Sequence, residues 1–595
     1  MGSAIQVGLV MCVASVACAD ALDDVLTLVP KDSASMIAIP SLAKLSRDVD
    51  ACIAGMDRKE TAIAGRPVDQ LRGMLGIKEG FDERGSMAAW TVGGVSVVGS
   101  DGQPVARAWV LLVPSEDPAA FVTANIAPNS EGIGEFRGEK VHARALAKHV
   151  LVSISKSAID EYDPSGGIGA DFAKRVGDRG MTLARGGDLI AWAGADALKE
   201  SQSATPGRPN AEGEALGGIL AGVAGSTDRF RELFAGMADG LLVVDADALG
   251  LSLRAYGTYS SGSQLGQLAL DAKPVAGEGA MTLAGLPKAP FYCAVALDAQ
   301  ALGGASKLDA LTSALGVSDL VPAWLSQAKE GVRSIRFACY PSKLGLIAGG
   351  FLNDCACLIE TSQPQAIRDL FKSSLMAQTG NAEGVRREPA WEDGRVLKNG
   401  TVVDAFELKE FPLGPSEAQG VDLSGVTMRQ MMRQAIFGSR GMHGFVQVLP
   451  SAVVITFSQR PDVLDRALTA AAGGESLKDD SVIVAMRPWL VPGAQCEAFI
   501  SVGQILKVVR QLASTFGGGQ MQLPTIPTRS PPVAFAFRVN PTATEASAMI
   551  PTATLAAVYD QVMSGAMGGR RGGERPPSEP PPESMKDTPM EAPNE

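Results

Sequence analysis

The chain has 595 residues, 46% of them hydrophobic and 20% charged, which supplies ample material for a buried core and a length prior of ~4 domains. A formal net charge of −12 argues against a nonspecific grip on a nucleic-acid backbone, and at 5% the aromatic residues are too scattered for stacking platforms. Nucleic acid is therefore excluded as a partner.

The N-terminus reads as an export signal. Ala4 to Val16 is an uncharged apolar run, too short to span a bilayer, and it ends in the small-x-small pattern Ala17-Cys18-Ala19 that a signal peptidase accepts. No Lys or Arg precedes the run, and Ser15 stands where a lipoprotein signal places a large apolar residue. Residues 1–19 are assigned as a signal peptide, and the mature chain is expected in the periplasm or outside the cell. No other stretch reaches the ~18 apolar residues of a membrane helix, so no stable membrane insertion is expected after cleavage.

A repeated phrase follows: proline, a short apolar strand, a capping residue, an amphipathic helix. It runs Pro30, Met36–Ile39, Ser41, Leu42 and Leu45, then again Pro287, Cys293–Leu297, Asp298 and Leu302. A third version reads Pro492, Ala498–Ile500, Ser501, Ile505 and Leu506. Further elements recur in matching order. Trp109–Val113 and the helix opened by Pro118 correspond to Cys357–Ile359 and the helix opened by Pro364, each proline falling where its missing N–H is harmless. Val150–Ile154 with Ser155 corresponds to Val453–Phe457 with Ser458, and Leu189–Ala193 to Cys496–Ile500. The reading is an α+β fold of two tandem similar halves, each a mostly antiparallel sheet with amphipathic helices packed on one face. The first half is placed at 20–275 and the second at 276–567, the latter carrying an insertion at about 376–442. Lys199–Ala215 reads as a polar loop, and the Pro/Glu-rich tail 568–595 has too little apolar surface to fold. In the helix after Ser501, Val502, Ile505, Leu506, Val509, Leu512 and Phe516 form the apolar stripe, with Ser501 as cap and Gly517 as terminator.

Six cysteines follow the signal: Cys52, Cys293, Cys339, Cys355, Cys357 and Cys496. Cys355-Ala356-Cys357 puts both thiols on one side of a strand, which is neither a zinc nor a redox spacing. If 333–360 is a meander with Cys339 on its outer strand, a whole strand (~9.5 Å) separates Cys339 from that pair. Buried thiols are expected.

Recognisable catalytic grammar is missing: no nucleophile elbow, Walker loop, HExxH helix or EF-hand loop occurs. Gly132-Ile133-Gly134…Gly138 has its third glycine one place late, and Asp245-Ala246-Asp247…Gly250 lacks the later ligands of a calcium loop. The three histidines are His142, His149 and His443; the first two lie seven residues apart in one hairpin, which a regular strand would point to opposite faces. Asp160-Glu161 and Asp479-Asp480 read as solvated helix or loop carboxylates. Thr427 caps a helix with Met428, Met431, Met432, Ala435 and Ile436 on one face and Arg429, Gln430, Arg433 and Gln434 on the other. Such a face can adapt to a partner or a membrane surface, although methionine as core filler is the plainer reading.

Leu286-Pro287-Lys288 before a strand, Ala435-Ile436-Phe437-Gly438, the approach Leu523-Pro524…Ser530-Pro531-Pro532-Val533-Ala534-Phe535, and Gly73-Met74-Leu75-Gly76…Gly80-Phe81-Asp82 together resemble a family of secreted planctomycete-type bacterial proteins. The resemblance covers most of the mature chain. It implies export and a duplicated α+β fold, and it carries over no activity and no catalytic residue.

The expectation is an exported, non-enzymatic binding or structural protein. It needs no cofactor and no metal, and its partner is an unidentified protein or small molecule bound between the halves or against 376–442. The alternative is an exported hydrolase whose site is assembled from distant loops.

Overall fold

The computed structural model describes residues 21–560 apart from 57–65, 99–103, 204–235, 261, 276–282, 305–306, 308–322, 328–330, 346–348, 352, 383–384, 414–435, 439–440 and 516–523. The signal 1–19, the tail 568–595, Gly517 and most of the methionine-faced helix at 427–440 lie outside the described residues.

Among the described residues, twenty strands form one continuous sheet. They are β1 (Ser33–Ile39), β2 (Met87–Val98), β3 (Pro104–Pro114), β4 (Ile133–Phe136), β5 (Glu139–Ala145), β6 (His149–Ser153), β7 (Leu189–Gly194), β8 (Met237–Asp247), β9 (Gly250–Tyr259) and β10 (Cys293–Asp298). There follow β11 (Val332–Cys339), β12 (Asp354–Thr361), β13 (Gly380–Ala382), β14 (Val385–Val396), β15 (Val402–Pro412), β16 (Met442–Leu449), β17 (Ala452–Ser458), β18 (Cys496–Ile500), β19 (Val533–Val539) and β20 (Ala543–Pro551). Every pairing is antiparallel, and the spatial order is β4-β5-β6-β3-β2-β1-β7-β8-β9-β20-β19-β18-β10-β11-β12-β17-β16-β15-β14-β13. This is an α+β protein with a large antiparallel sheet.

The helices are α1 (residues 21–28), α2 (Leu42–Gly55), α3 (Pro67–Leu75), α4 (Pro118–Asn125), α5 (Lys156–Asp160), α6 (Gly169–Gly186), α7 (Ala195–Ser203), α8 (Gln264–Ala269) and α9 (Ala323–Ser326). They continue as α10 (Pro364–Met376), α11 (Pro461–Ala471), α12 (Ser481–Met486), α13 (Val502–Thr515) and α14 (residues 552–560). Short polar side chains start them as the sequence predicts at three places: Ser41 accepts from the Lys44 amide, Asp117 from Ala120 and Ser155 from Ala158. Asp298 accepts from the Ala301 amide in the same way, but residues 299–303 form turns and not the helix expected through Leu302. Lys199–Ser203, expected in a polar loop, instead complete α7.

Helices cover both faces of the sheet, not one. Val110 and Leu112 of β3 pack with Leu22 and Leu26 of α1 and Phe172 of α6, while Leu111 and Val113 pack on the opposite face with Phe121 and Ile126. On β17, Val454 meets Leu464 and Ala467 of α11, whereas Val453 and Ile455 meet Ile367, Phe371 and Leu375 of α10. The physical reason is that these strands are uninterrupted apolar runs; a strand with one solvated face alternates. Among the described side chains of α13 the most buried apolar one is Val508, which the predicted stripe omits.

The N-terminal and C-terminal strand sets meet edge to edge through β9 and β20, with Arg254 opposite Ser547 at the middle of nine paired residues from Thr258↔Ala543 to Gly250↔Pro551. No cleft separates them there, because pairing satisfies the backbone groups of both edges. Tyr259, Phe537, Val539 and Ala269 pack together beside the seam. A charged clamp reinforces it: Glu545 on β20, its side chain 2% exposed, receives Arg179 from α6 at 3.1 Å to each oxygen and also pairs with Arg538 of β19. Arg179 lies two residues after a break in α6 at Gly177, whose φ of 64° favours glycine.

Candidate functional site

The three histidines do not converge. His142 on β5 pairs with Ser153 on β6, and His149 starts β6, so both side chains lie on one face, not opposite faces. Across a hairpin the paired residues share a face whatever their separation along the chain, which is why the parity of seven misleads. Four residues of β6 still hold them about 13 Å apart. His149 Nε2 lies 3.3 Å from Ser86 Oγ and 3.1 Å from the Ser86 carbonyl oxygen, and burial lowers its pKa despite that contact. His443 is on β16, towards the other end of the sheet, with Nε2 3.3 Å from Glu407.

The paired carboxylates serve the backbone and the surface. Asp160 meets Lys156 at 3.3 Å, Asp479 closes a capping box with Ser476, and Asp480 caps α12 through Val482 and Ile483. Gly132, Gly134 and Gly138 belong to the β4–β5 hairpin and its approach, and Asp247 accepts from the Leu249 and Gly250 amides in the β8–β9 turn.

Asp245 enters a dense charged group. Lys44 on α2 places its ammonium among three carboxylates: Asp48 one turn later at 3.0 Å, Asp245 on β8 at 3.2 Å, and Asp188, immediately before β7, in closer contact still. The oxygens of Asp48, Asp188 and Asp245 lie within 4.8 Å of one another, the grouping that a cation needs, and the lysine is the cation that fills it. Asp188 is anchored by the Ala246 amide at 2.9 Å. Burial alone would depress the Lys44 pKa, but the hydrogen bond and charge of Asp188, with help from Asp245 and Asp48, raise it instead. An ammonium held this firmly is a charge lock, not a nucleophile or base. Burial pushes Asp188 up to about 6 against the pull of Lys44. The signals for this cluster were a Lys–Asp pair at helical i,i+4 spacing and an aspartate ending the apolar run Leu241–Val244.

Two further buried carboxylates are structural in placement. Asp354 on β12 accepts from Ser458 Oγ at 2.7 Å and from Arg460 at 2.8 Å. Glu497 on β18 lies 3.3 Å from Arg487, and burial pushes it up to about 7 against that charge.

The cysteines correct the meander expectation. Residues 332–361 hold two strands, not three, so Cys339 stands directly opposite Cys355, with Cys293 opposite Cys339 on the other side. Their sulfurs are not a strand apart: Cys339 Sγ and Cys355 Sγ approach to 2.6 Å.

No helix among the described residues is long and apolar enough to cross a membrane. No protein-family model matches the chain, and no curated protein matches it by sequence. A solved structure titled "Structure of crystal form I of TP0453" aligns with 40% of this chain and 79% of its own at 7% identity and a TM-score of 0.21. A likeness at that level carries no argument about fold or function.

Proposed function

We propose that the chain is an exported, non-enzymatic binding or structural protein built from two similar α+β halves, 20–275 and 276–567. One observation carries this reading. Outward from the seam the order is β9-β8-β7-β1-β2-β3-β6-β5-β4 on one side and β20-β19-β18-β10-β11-β12-β17-β16-β15 on the other. In both series the first strand in sequence lies fourth from the seam, and the last hairpin lies against it. The matching leaves β13 and β14 without counterparts, which centres the surplus of 376–442 on residues 380–396. The family resemblance, with its implied export and duplication, supports the same reading.

The charged groups described above act as locks between secondary elements, consistent with a scaffold. The partner, an unidentified protein or small molecule, is placed against the β14–β15 hairpin. There Val396 and Val402 oppose each other in register and are 66% and 55% exposed, with Phe411 further along. The test is crosslinking of a tagged chain in its native cell envelope, with Val396→Asp/Val402→Asp as comparison. A reproducible crosslink to one partner that the double variant loses is expected. Retention of the tagged chain in the cytoplasm with residues 1–19 intact would defeat the export reading, and a crosslink pattern unchanged by the variant would defeat the hairpin placement.

A further inference from the structure

Cys293, Cys339 and Cys355 form a row at one level of the sheet, across β10, β11 and β12. We propose that Cys339 and Cys355 become joined by a cross-strand disulfide when the chain folds in the presence of a small disulfide oxidant. The inference rests on sheet geometry and is independent of where the protein resides.

The register makes the pair suitable. The Tyr340 amide donates to the Asp354 carbonyl at 2.9 Å, so Tyr340 and Asp354 form a hydrogen-bonded pair. The next pair inward, Cys339 and Cys355, is then the closer, non-hydrogen-bonded kind, with Cα atoms about 4.5 Å apart. That separation lies within the range a disulfide spans. Both are thiols in this structure, with sulfurs 2.6 Å apart. Cys357 shares the face of Cys355 but is opposed by Phe337, Cys496 by Leu297 and Phe537, and Cys52 lies on α2. Cys293, which also faces Cys339, is only half-buried, whereas Cys339 and Cys355 are sealed under Tyr292 and Val508.

That seal sets the timing. Burial raises both thiols above the ordinary cysteine range, and buried thiols are poor nucleophiles. The bond therefore forms while β11 and β12 pair, before α13 brings Val508 over them. The Cys339 thiolate attacks one sulfur of the oxidant, breaking its S–S bond and releasing one thiol. The Cys355 thiolate then attacks the Cys339 sulfur of that mixed disulfide, forming the cross-strand bond and releasing the second thiol. The two cysteines lose two electrons and two protons, and the oxidant ends as two thiols.

The experiment refolds the full chain from denaturant in a glutathione/glutathione-disulfide buffer, blocks remaining thiols with N-ethylmaleimide, and digests with trypsin without reduction. The expected product is peptide 337–343 joined to peptide 344–368, lost on reduction. Because 344–368 holds both Cys355 and Cys357, Cys357→Ser should retain the link and Cys355→Ser should abolish it. The proposal is overturned if wild-type Cys339 and Cys355 both carry maleimide, if the link survives Cys355→Ser, or if 337–343 is joined instead to 289–307, the peptide of Cys293.

Discussion

Replacing Glu545 by Gln isolates the charge at the β9–β20 seam while keeping side-chain volume and one carbonyl acceptor. In the native protein its carboxylate takes Arg179 Nε at 3.1 Å on both oxygens and is also paired with Arg538, all at 2% side-chain exposure. Removing one partner of a buried, hydrogen-bonded ion pair costs about 3–5 kcal/mol, mainly because the remaining charge is stranded. Arg179 is 37% exposed, so water takes up part of its stranded charge, whereas Arg538 at 15% has little such relief. The expected loss is therefore about 2–4 kcal/mol. Tryptophan fluorescence in urea would report it, with hydrogen exchange on the β9 and β20 amides read alongside, since a chain of this size need not unfold in one step. Those amides should lose protection before the amides of β3 and β12. Arg179→Met combined with Glu545→Gln should cost less than the sum of the single changes, as contacting residues do. A loss below about 0.5 kcal/mol with unchanged exchange at the seam would refute the clamp.

Lys44→Met should destabilise the protein by about 3 kcal/mol at neutral pH, because Asp188 and Asp245 then lose their cation while Asp48 keeps only the exposed Arg47 at 3.0 Å. Asp188, pushed up to about 6 by burial even beside Lys44, is held higher still without it and binds a proton more readily folded than unfolded, so the variant's stability should recover as pH falls from 8 to 5. Urea midpoints at pH 5 and pH 8 that run parallel to wild type would contradict this. Glu497 has a folded pKa of about 7 against 4.5 unfolded. In that window the native state holds a proton that the unfolded state has released, so its contribution to stability is lost as pH rises from 4.5 to 7. Glu497→Gln should remove up to about 3 kcal/mol of that pH dependence, checked by denaturation at pH 4.5, 6 and 8. Gly250→Ala places a Cβ 2.1 Å from the Ile550 carbonyl oxygen, at a φ of 154°, and should loosen the seam by about 1–3 kcal/mol. Unchanged thermal stability of that variant would mean that β9 enters the seam differently.

Local grammar was readable and distant pairing was not. Ser41, Asp117 and Ser155 announce helix starts through residues three positions away, and each does accept that amide, whereas Asp298 accepts from Ala301 but opens only a turn. Trp109–Val113 and Val453–Phe457 announce strands for the same local reason, and their unbroken apolar character is also the sign of two covered faces. Lys44 and Asp48 sit one helical turn apart, yet their partners Asp188 and Asp245 lie 144 and 201 residues from Lys44, beyond any periodicity argument. The place of Cys339 is not legible because strand number within 332–361 cannot be counted from composition when the sequence between two strands is itself apolar, as Leu344 to Phe351 is.

The seam explains how so many strands coexist in one sheet. An exposed strand edge invites pairing with another chain, and the hazard grows with the length of the edge. β9 and β20, with ten and nine residues, are long for terminal strands, and pairing them with each other removes two long open edges. At the extremes of the described sheet the outermost strands are β4 and β13, of only four and three residues. The outermost strands are short, although β13 covers only Val385–Arg387 of the twelve-residue β14. A change that opens the seam should therefore do more than destabilise. Glu545→Gln at high concentration should form soluble multimers by exchange of β9 or β20 between copies, visible by light scattering, and a double cysteine variant that crosslinks Arg254 and Ser547 positions across the seam should suppress them.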